Sequence, residues 1–572
     1  MQYGPIVPFS DEIHAQKYRS EVEDFRGAQN RVAATLKDSD DHFHKLQDIL
    51  LNMRFLPGGR VQAAMGSTKN ITGLNCFISG TIQDSFVDGD GNIMQRATEA
   101  AATMRMGGGI GYDFSSLRPR GSMIKKLESR SSGAVSFMDI YDAVCRCTAS
   151  SGHRRGSQMG VLRVDHPDIV EFIHAKNNEH KLTGFNMSIA VTDEFMNAVI
   201  SGEPFALRFA GEIYRLVDAR ELWEAIMRST WDWAEPGVLF IDQINRMNNL
   251  YYCETIAATN PCGEQPLPPF GCCLLGSFNL VKYVKPRGDK LLEDIFGDKY
   301  HFDWDQFAED IPHVVRAMDN VIDKTIYPLP EQEREQRAKR RMGIGVTGLA
   351  NALEALGLSY GSPEFLERQE VILSTLVNTA YHASTELAAE KGAFPLYDKR
   401  YLQGSFIKTL TPYVQEQIQK HGIRNSHLTS IAPCGTISLA ADNVSSSIEP
   451  LVAEEFSRTV IEFDGPRKES IQDYGMRVFG VRGKAASEVS VKEHVDVLVT
   501  AQKYMDSAVS KTCNVGANVS WEEFKNIYMD AWQRGAKGCT TYRASGKRRG
   551  IFEVPAATSC EFDAASGRKN CE

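Results

Sequence analysis

The chain has 572 residues, 42% of them hydrophobic, and 64 Lys and Arg against 73 Asp and Glu leave a formal net charge of -9. That length and apolar fraction suffice for a large buried core, and the acidic balance excludes a nucleic-acid-coating protein, whose footprint is basic. No run of 18 apolar residues predicts a membrane span, and Met1–Ser10 lacks the basic and apolar regions of a signal peptide, so the 12 cysteines are expected to be reduced thiols of a cytoplasmic protein.

Residues 11–55 are polar with apolar positions at helical spacing, as in Phe43, Leu46, Ile49 and Leu50. Phe55-Leu56-Pro57-Gly58-Gly59 interrupts that pattern, which predicts a helical N-terminal segment over 1–70. From 71 to 543, apolar runs alternate with amphipathic windows. Leu207–Ala210, Gly237–Ile241 and Leu428–Ala432 read as strands, and the alternation predicts a parallel or mixed α/β architecture. Residues 544–572 are rich in Ser, Gly, Ala, Lys and Arg and predict a flexible tail, which nevertheless carries Cys560 and Cys571.

Three stretches concentrate chemistry. Leu74-Asn75-Cys76 carries a thiol. Asn260-Pro261-Cys262-Gly263-Glu264 sets an amide, a thiol and an acid within five residues. Gly271-Cys272-Cys273-Leu274-Leu275-Gly276-Ser277-Phe278-Asn279-Leu280 adds two thiols. A free cysteine is often only a small buried hydrophobe; Asn260 also suits a turn before Pro261, and Glu264 suits a surface. The combination favours redox chemistry. Zinc is the competing reading, but no C-x-x-C pair occurs, and no metal ligands are assigned. Gly343–Gly348 satisfies G-x-G-x-x-G, yet Arg337–Arg341 before it is no buried strand. These glycines are expected to allow close packing rather than to hold a dinucleotide.

Asn260–Leu267 and Cys273–Leu280 resemble the active-site signatures of ribonucleotide reductase catalytic subunits, nearest in wording to the cobalamin-dependent class II enzymes. Gly133–Phe137, Arg154–Ile169, Gly343–Leu349, Ile431–Ser438, Ser445–Pro450 and Lys537–Arg543 match further stretches in the family's order. The resemblance implies a ten-stranded α/β barrel with the thiol on a loop through its centre. It implies radical reduction of ribonucleoside di- or triphosphates to 2′-deoxyribonucleotides for DNA precursor synthesis. Cys262 would carry a thiyl radical, Glu264 would be the base on the 3′-hydroxyl, and Asn260 would hold the neighbouring hydroxyl. Cys76 and Cys273 would be the reductant pair, which requires Cα atoms within about 7 Å. The C-x-L-G-S-x-N-L pattern registers on Cys273 and leaves Cys272 a bystander.

By the same resemblance Cys560 and Cys571 would shuttle electrons from a thioredoxin-like reductant. Gly435, Thr436 and Ser438 would hold the substrate phosphates on a small-residue turn, in which Cys434 stands where the family often has Thr. A homodimer would bind a deoxynucleotide effector such as dTTP or dATP through Asp84, Arg118, Lys125 and Arg154, and the loop Ser150–Ser157 would relay its identity. Cys76 comes too early for the family's N-terminal ATP cone to be expected. Adenosylcobalamin is the implied cofactor. In the class I alternative none is bound, and a radical-generating small subunit delivers the radical through two adjacent tyrosines. Thr540-Thr541-Tyr542-Arg543 has one tyrosine, which favours class II. A glycyl-radical enzyme and a non-catalytic nucleotide-binding protein are the remote alternatives.

Overall fold

A computed structural model describes residues 3–125, 127–150, 154–155, 157–177, 180–288, 299–462, 465–516, 518–543, 561–563 and 568–570. Helices Pro8–Tyr18, Phe25–Leu36, Asp40–Leu51 and Gly59–Ala64 precede the first barrel strand. Local sequence sets their starts: Asp24 accepts from Gly27 N and Ser39 from His42 N, each satisfying a backbone donor that the helix cannot. The apolar positions expected at helical spacing fall on Asp40–Leu51, which buries Leu46, Ile49 and Leu50. Phe55–Pro57 does more than interrupt the helices. It is a strand antiparallel to Leu275–Asn279, with Phe55 opposite Phe278.

The central sheet consists of two runs of parallel strands. Cys76–Ile78, Gly109–Asp113, Gln158–Arg163, Phe185–Val191 and Gly237–Phe240 pair in that order. In the second run Cys272–Cys273 continues into Leu275–Asn279, which pairs with Gly343–Thr347. Isolated parallel bridges, Ile344 to Thr429 and Ile431 to Val509, carry the sheet through an extended segment toward Thr512–Val515, which pairs with Gly538–Arg543. Two antiparallel seams, Cys76 opposite Cys273 and Val238 opposite Cys539, join the runs. Following the pairings round returns to the first strand, so the ten strand positions close into the expected barrel. Parallel neighbours require crossovers; Ile93–Arg105, Ala134–Cys147 and Trp521–Gln533 are three of the helices that provide them.

Two of the strands read from sequence differ in detail. The stretch at 207–210 belongs to Pro204–Phe209, which pairs only with Glu212–Asp218 and lies outside the barrel. Ala210 and Gly211, both at positive φ, make a two-residue turn that folds the chain back as a hairpin. The stretch at 428–432 fills a barrel position through single bridges.

Side chains alternate across each strand. Val238 and Ile189 join the large core under the helices, whereas Leu239 and Ala190 join a smaller cluster with Ile78, Met159, Val161, Cys273, Leu275 and Ala432. Ala258 and Leu267 also belong to this inner cluster. They come from a hairpin threaded through the barrel. A Cβ on Gly111 would collide with the Thr259 carbonyl, and one on Gly343 with Gln265 Nε2. Of the glycines of the G-x-G-x-x-G stretch, Gly343 serves this close approach and Gly345 a close approach to Ser430 O, both on a strand rather than a dinucleotide loop. Among the described residues, no helix is long and apolar enough to cross a membrane.

Candidate active site

Ala258 pairs with Leu267 and Thr259 with Pro266, so residues 260–265 form the tip of the inner hairpin. Asn260 N donates to Gln265 O at 3.1 Å, and Gln265 N donates to Asn260 Oδ1 at 3.0 Å. Gly263, at φ 84°, permits the reversal. Both halves of the barrel fasten the tip. Asn186 Nδ2 donates to Pro261 O at 2.8 Å, while Ser430 Oγ and Ala508 N donate to Glu264 O at 3.0 and 2.9 Å. Cys262 at the apex is exposed, whereas Asn260 and Glu264 are buried. Asn260 Nδ2 and Gln265 Nε2 bond to no protein atom. Buried amides normally find partners, and a hydroxyl-bearing ligand would supply them.

Cys76 stands directly opposite Cys273. Opposed residues of an antiparallel pair have Cα atoms about 4.5–5.5 Å apart, within disulfide reach. Both are free thiols. Burial, then the adjacent Cys76 thiol and the charge of Glu264, push the Cys273 thiol well above the usual range and keep it protonated. A Cβ on Gly109 would lie 3.0 Å from Pro261 Cγ and 3.5 Å from Cys76 Sγ, so the hairpin tip stands beside the pair. Cys272 points the other way. Its Sγ donates to Phe270 O at 3.5 Å and to Gln332 O at 3.6 Å, and it belongs to the outer core.

Cys434 precedes the short helix Gly435–Ala440. Gly435 and Thr436 are exposed, while the Ser438 hydroxyl is buried and donates to Gly435 O at 3.1 Å. The Cys434 side chain points inward, with Sγ 3.2 Å from Ser277 Oγ. Burial raises its thiol pKa against the Ser277 and Thr347 contacts, and the Glu264 charge raises it further. A Cβ on Gly237 would meet Ser188 Oγ at 3.0 Å and Thr540 Oγ1 at 3.5 Å. Thr540 is exposed and Tyr542 half-buried, whereas Thr541 is buried with its Oγ1 2.9 Å from Tyr528 OH.

Asp84 and Arg118 meet directly: Arg118 Nε donates to Asp84 Oδ2 at 2.7 Å and Arg118 N to Asp84 Oδ1 at 3.2 Å. Lys125 is exposed beside the Met123–Ile124 and Ser129–Arg130 hairpin. The Arg154 backbone pairs with Ser150; residues 151–153 and 156 of that loop lie outside the described residues, as do Cys560 and Cys571.

Sequence reasoning passed over Asn186, Ser188 and Ser430, and used Ser277 and Asn279 only to set a register. A signal was present. Asn186 and Ser188 interrupt an otherwise apolar strand at period two, as do Ser277 and Asn279. That marks one face of a strand as polar.

The family model "Ribonucleotide reductase, barrel domain" matches residues 74–473 and 469–542. A "Vitamin B12-dependent ribonucleoside-diphosphate reductase" of Mycobacterium tuberculosis is 34% identical over 563 residues, covering 92% of this chain and 74% of the relative. A protein of the same name from Thermoplasma acidophilum is 32% identical over 582 residues, covering 95% and 71%. A "Ribonucleoside-diphosphate reductase subunit alpha" of Chlamydia pneumoniae is 26% identical over 561 residues, covering 82% and 51%.

Proposed function

The chain belongs to the ribonucleotide reductase family, and on that premise we propose that it is a class II-like catalytic subunit that reduces ribonucleotides with adenosylcobalamin. One observation carries the chemistry: two free thiols, Cys76 and Cys273, oppose each other beside the apex that holds Cys262. Cys262, as a thiyl radical, takes the hydrogen from C3′ of the ribose and later returns it. Glu264 accepts the 3′-hydroxyl proton, as its burial beside the thiols allows. Asn260 Nδ2 holds the neighbouring hydroxyl. The Cys76–Cys273 pair then closes to a disulfide. Its two hydrogens and two electrons leave as water with the 2′-oxygen and as the new C2′–H.

Adenosylcobalamin, when bound, supplies the radical equivalent that Cys262 requires. The exposed Cys262 thiol would face such a group from the hairpin tip, whose Pro261 carbonyl Asn186 holds in place. A single Tyr542, with Thr541 turned to Tyr528, offers no adjacent tyrosine pair for a radical from a separate subunit.

Substrate phosphates bind at the turn of Gly435 and Thr436, where a Cβ on Gly435 would meet open space. Ser438 supports that turn from within. A deoxynucleotide effector such as dTTP or dATP binds near Asp84, Arg118, Lys125 and Arg154, and the Asp84–Arg118 pair opens to admit it. A homodimer places this site at its interface. Exposed Phe86, Val87 and Met94 lie there, with Phe86 packed on Phe137 of helix Ala134–Cys147. Cys560 and Cys571 relay electrons from a thioredoxin-like protein. The deciding assay incubates the purified chain with ribonucleoside di- and triphosphates and a small dithiol, with and without adenosylcobalamin. Deoxyribonucleotide formed only with the cofactor supports the reading; its formation without the cofactor would refute it.

A further inference from the structure

Helix Pro8–Tyr18 packs against the back of helix Gly435–Ala440, the helix that begins at the exposed turn. Phe9, Ile13 and Tyr18 form a separate apolar cluster with Leu439, Ala440 and Ile471, and Val7 and Ile437 pack on its edge. A polar clasp lies beside it. Ile6 N and Val7 N both donate to Asp442 Oδ1, at 2.7 and 2.9 Å. Asp442 is fully buried, two residues beyond the helix, and sits at φ 65° in the left-handed region. Arg477 holds its carbonyl at 2.8 Å. The far end of the N-terminal helix is anchored independently, because the Arg31 guanidinium donates to Tyr18 O, Gln62 O and Met65 O. Two donors on one buried carboxylate oxygen are charge-assisted bonds of fixed direction. They tie the segment before the N-terminal helix to a short helix that its own six residues cannot hold rigid.

We infer that residues 6–18 clasp the Gly435–Ala440 helix and set the substrate-phosphate turn in its binding position, with Asp442 as the positioning residue. The inference rests on the assignment of that turn to substrate phosphate. The clasp acts on binding rather than on the radical step, because its contacts fall on Leu439, Ala440 and Asp442 rather than on residues 260–265 of the hairpin tip. Loss of such uniform binding raises KM and leaves kcat in place.

The test is steady-state reduction of ribonucleotide by the full-length chain, with and without substitutions. Asp442→Ala should raise KM about tenfold, the equivalent of ~1.4 kcal/mol, with kcat changed by less than about twofold. Asp442→Asn keeps an oxygen acceptor and suits a left-handed φ, so it should restore KM to near the unsubstituted value. Phe9→Ala with Ile13→Ala attacks the apolar half of the clasp and should raise KM in the same direction, which keeps the test decisive if Asp442→Ala does not fold. Thr436→Ala serves as the control for the turn. If Thr436→Ala raises KM while the clasp variants fold and leave it unchanged, the clasp is refuted and the turn assignment stands. If Thr436→Ala and the clasp variants all leave KM unchanged, the turn assignment fails and the clasp falls with it. A fall in kcat with unchanged KM in the clasp variants would reduce these residues to a structural role and overturn the inference.

Discussion

The barrel closes through two antiparallel seams, and each seam carries a cysteine. At one, Cys76 opposes Cys273; at the other, Cys539 opposes Val238. The first pair points into the barrel, beside the hairpin tip. The second points outward into the core under the helices, where contact with Cys513 and then burial push the Cys539 thiol far up. Both seams are two-residue antiparallel pairings. What differs is the face to which the register turns the opposed residues, and a one-residue slip exchanges faces. Adjacent Cys272 and Cys273 repeat the lesson within one strand. On the proposed reading, the reductant thiol is the one that meets both a second thiol and the hairpin tip.

The largest effect should come from the apex that gives the inner seam its purpose. Cys262→Ser should lower deoxyribonucleotide formation by about 10³-fold or more, because an O–H bond is too strong to serve as a hydrogen carrier, while nucleotide binding persists. Substantial turnover by this variant would detach the hairpin from the chemistry.

Next come the seams themselves. Cys76→Ser and Cys273→Ser should each stop multiple turnover with excess dithiol, and one turnover of the unsubstituted protein without reductant should consume two thiols. Cys539→Ala should leave turnover intact and cost ~1–2 kcal/mol of stability as a small cavity in the outer core. Dithiol-driven turnover lost in Cys539→Ala, or in Cys272→Ser, would break the distinction between inner and outer faces.

A final test concerns a buried group outside both seams. Burial raises the Glu354 carboxyl to about 7, and nearby Asp473 adds to the shift, against a bond from Lys484 N. The folded protein therefore holds this proton where the unfolded chain has lost it. Its contribution to stability is fully present below about pH 4.5 and is lost as pH rises through about 7. Glu354→Gln should be nearly neutral at pH 4.5 and more stable than the unsubstituted protein at pH 8, by roughly 1–3 kcal/mol. Thermal unfolding at the two pH values measures it. An equal shift at both would mean that Glu354 is already charged in the folded state.

Much of this molecule is legible along the chain. The apolar spacing of Phe43, Leu46, Ile49 and Leu50 and the run Gly237–Phe240 follow from local rules, because helices and buried strands are specified by nearby residues. The motif around Asn260, Cys262 and Glu264 is equally local, since a hairpin tip holds all three. Tertiary structure alone decided the rest. The proposed reductant partners lie 197 positions apart, and only closure of the barrel brings Cys76 opposite Cys273 and turns both inward. The same closure made a barrel position of the weakly bridged segment at 428–432 and left Pro204–Phe209 outside as a hairpin. Packing of the N-terminal helix on Leu439 and Ala440 brings Asp442 under Ile6 and Val7. Residue type and spacing declare which groups can do chemistry. Which of them meet, and on which face, is set by long-range pairing, because that register is fixed by burial of the whole sheet rather than by any one segment of the chain.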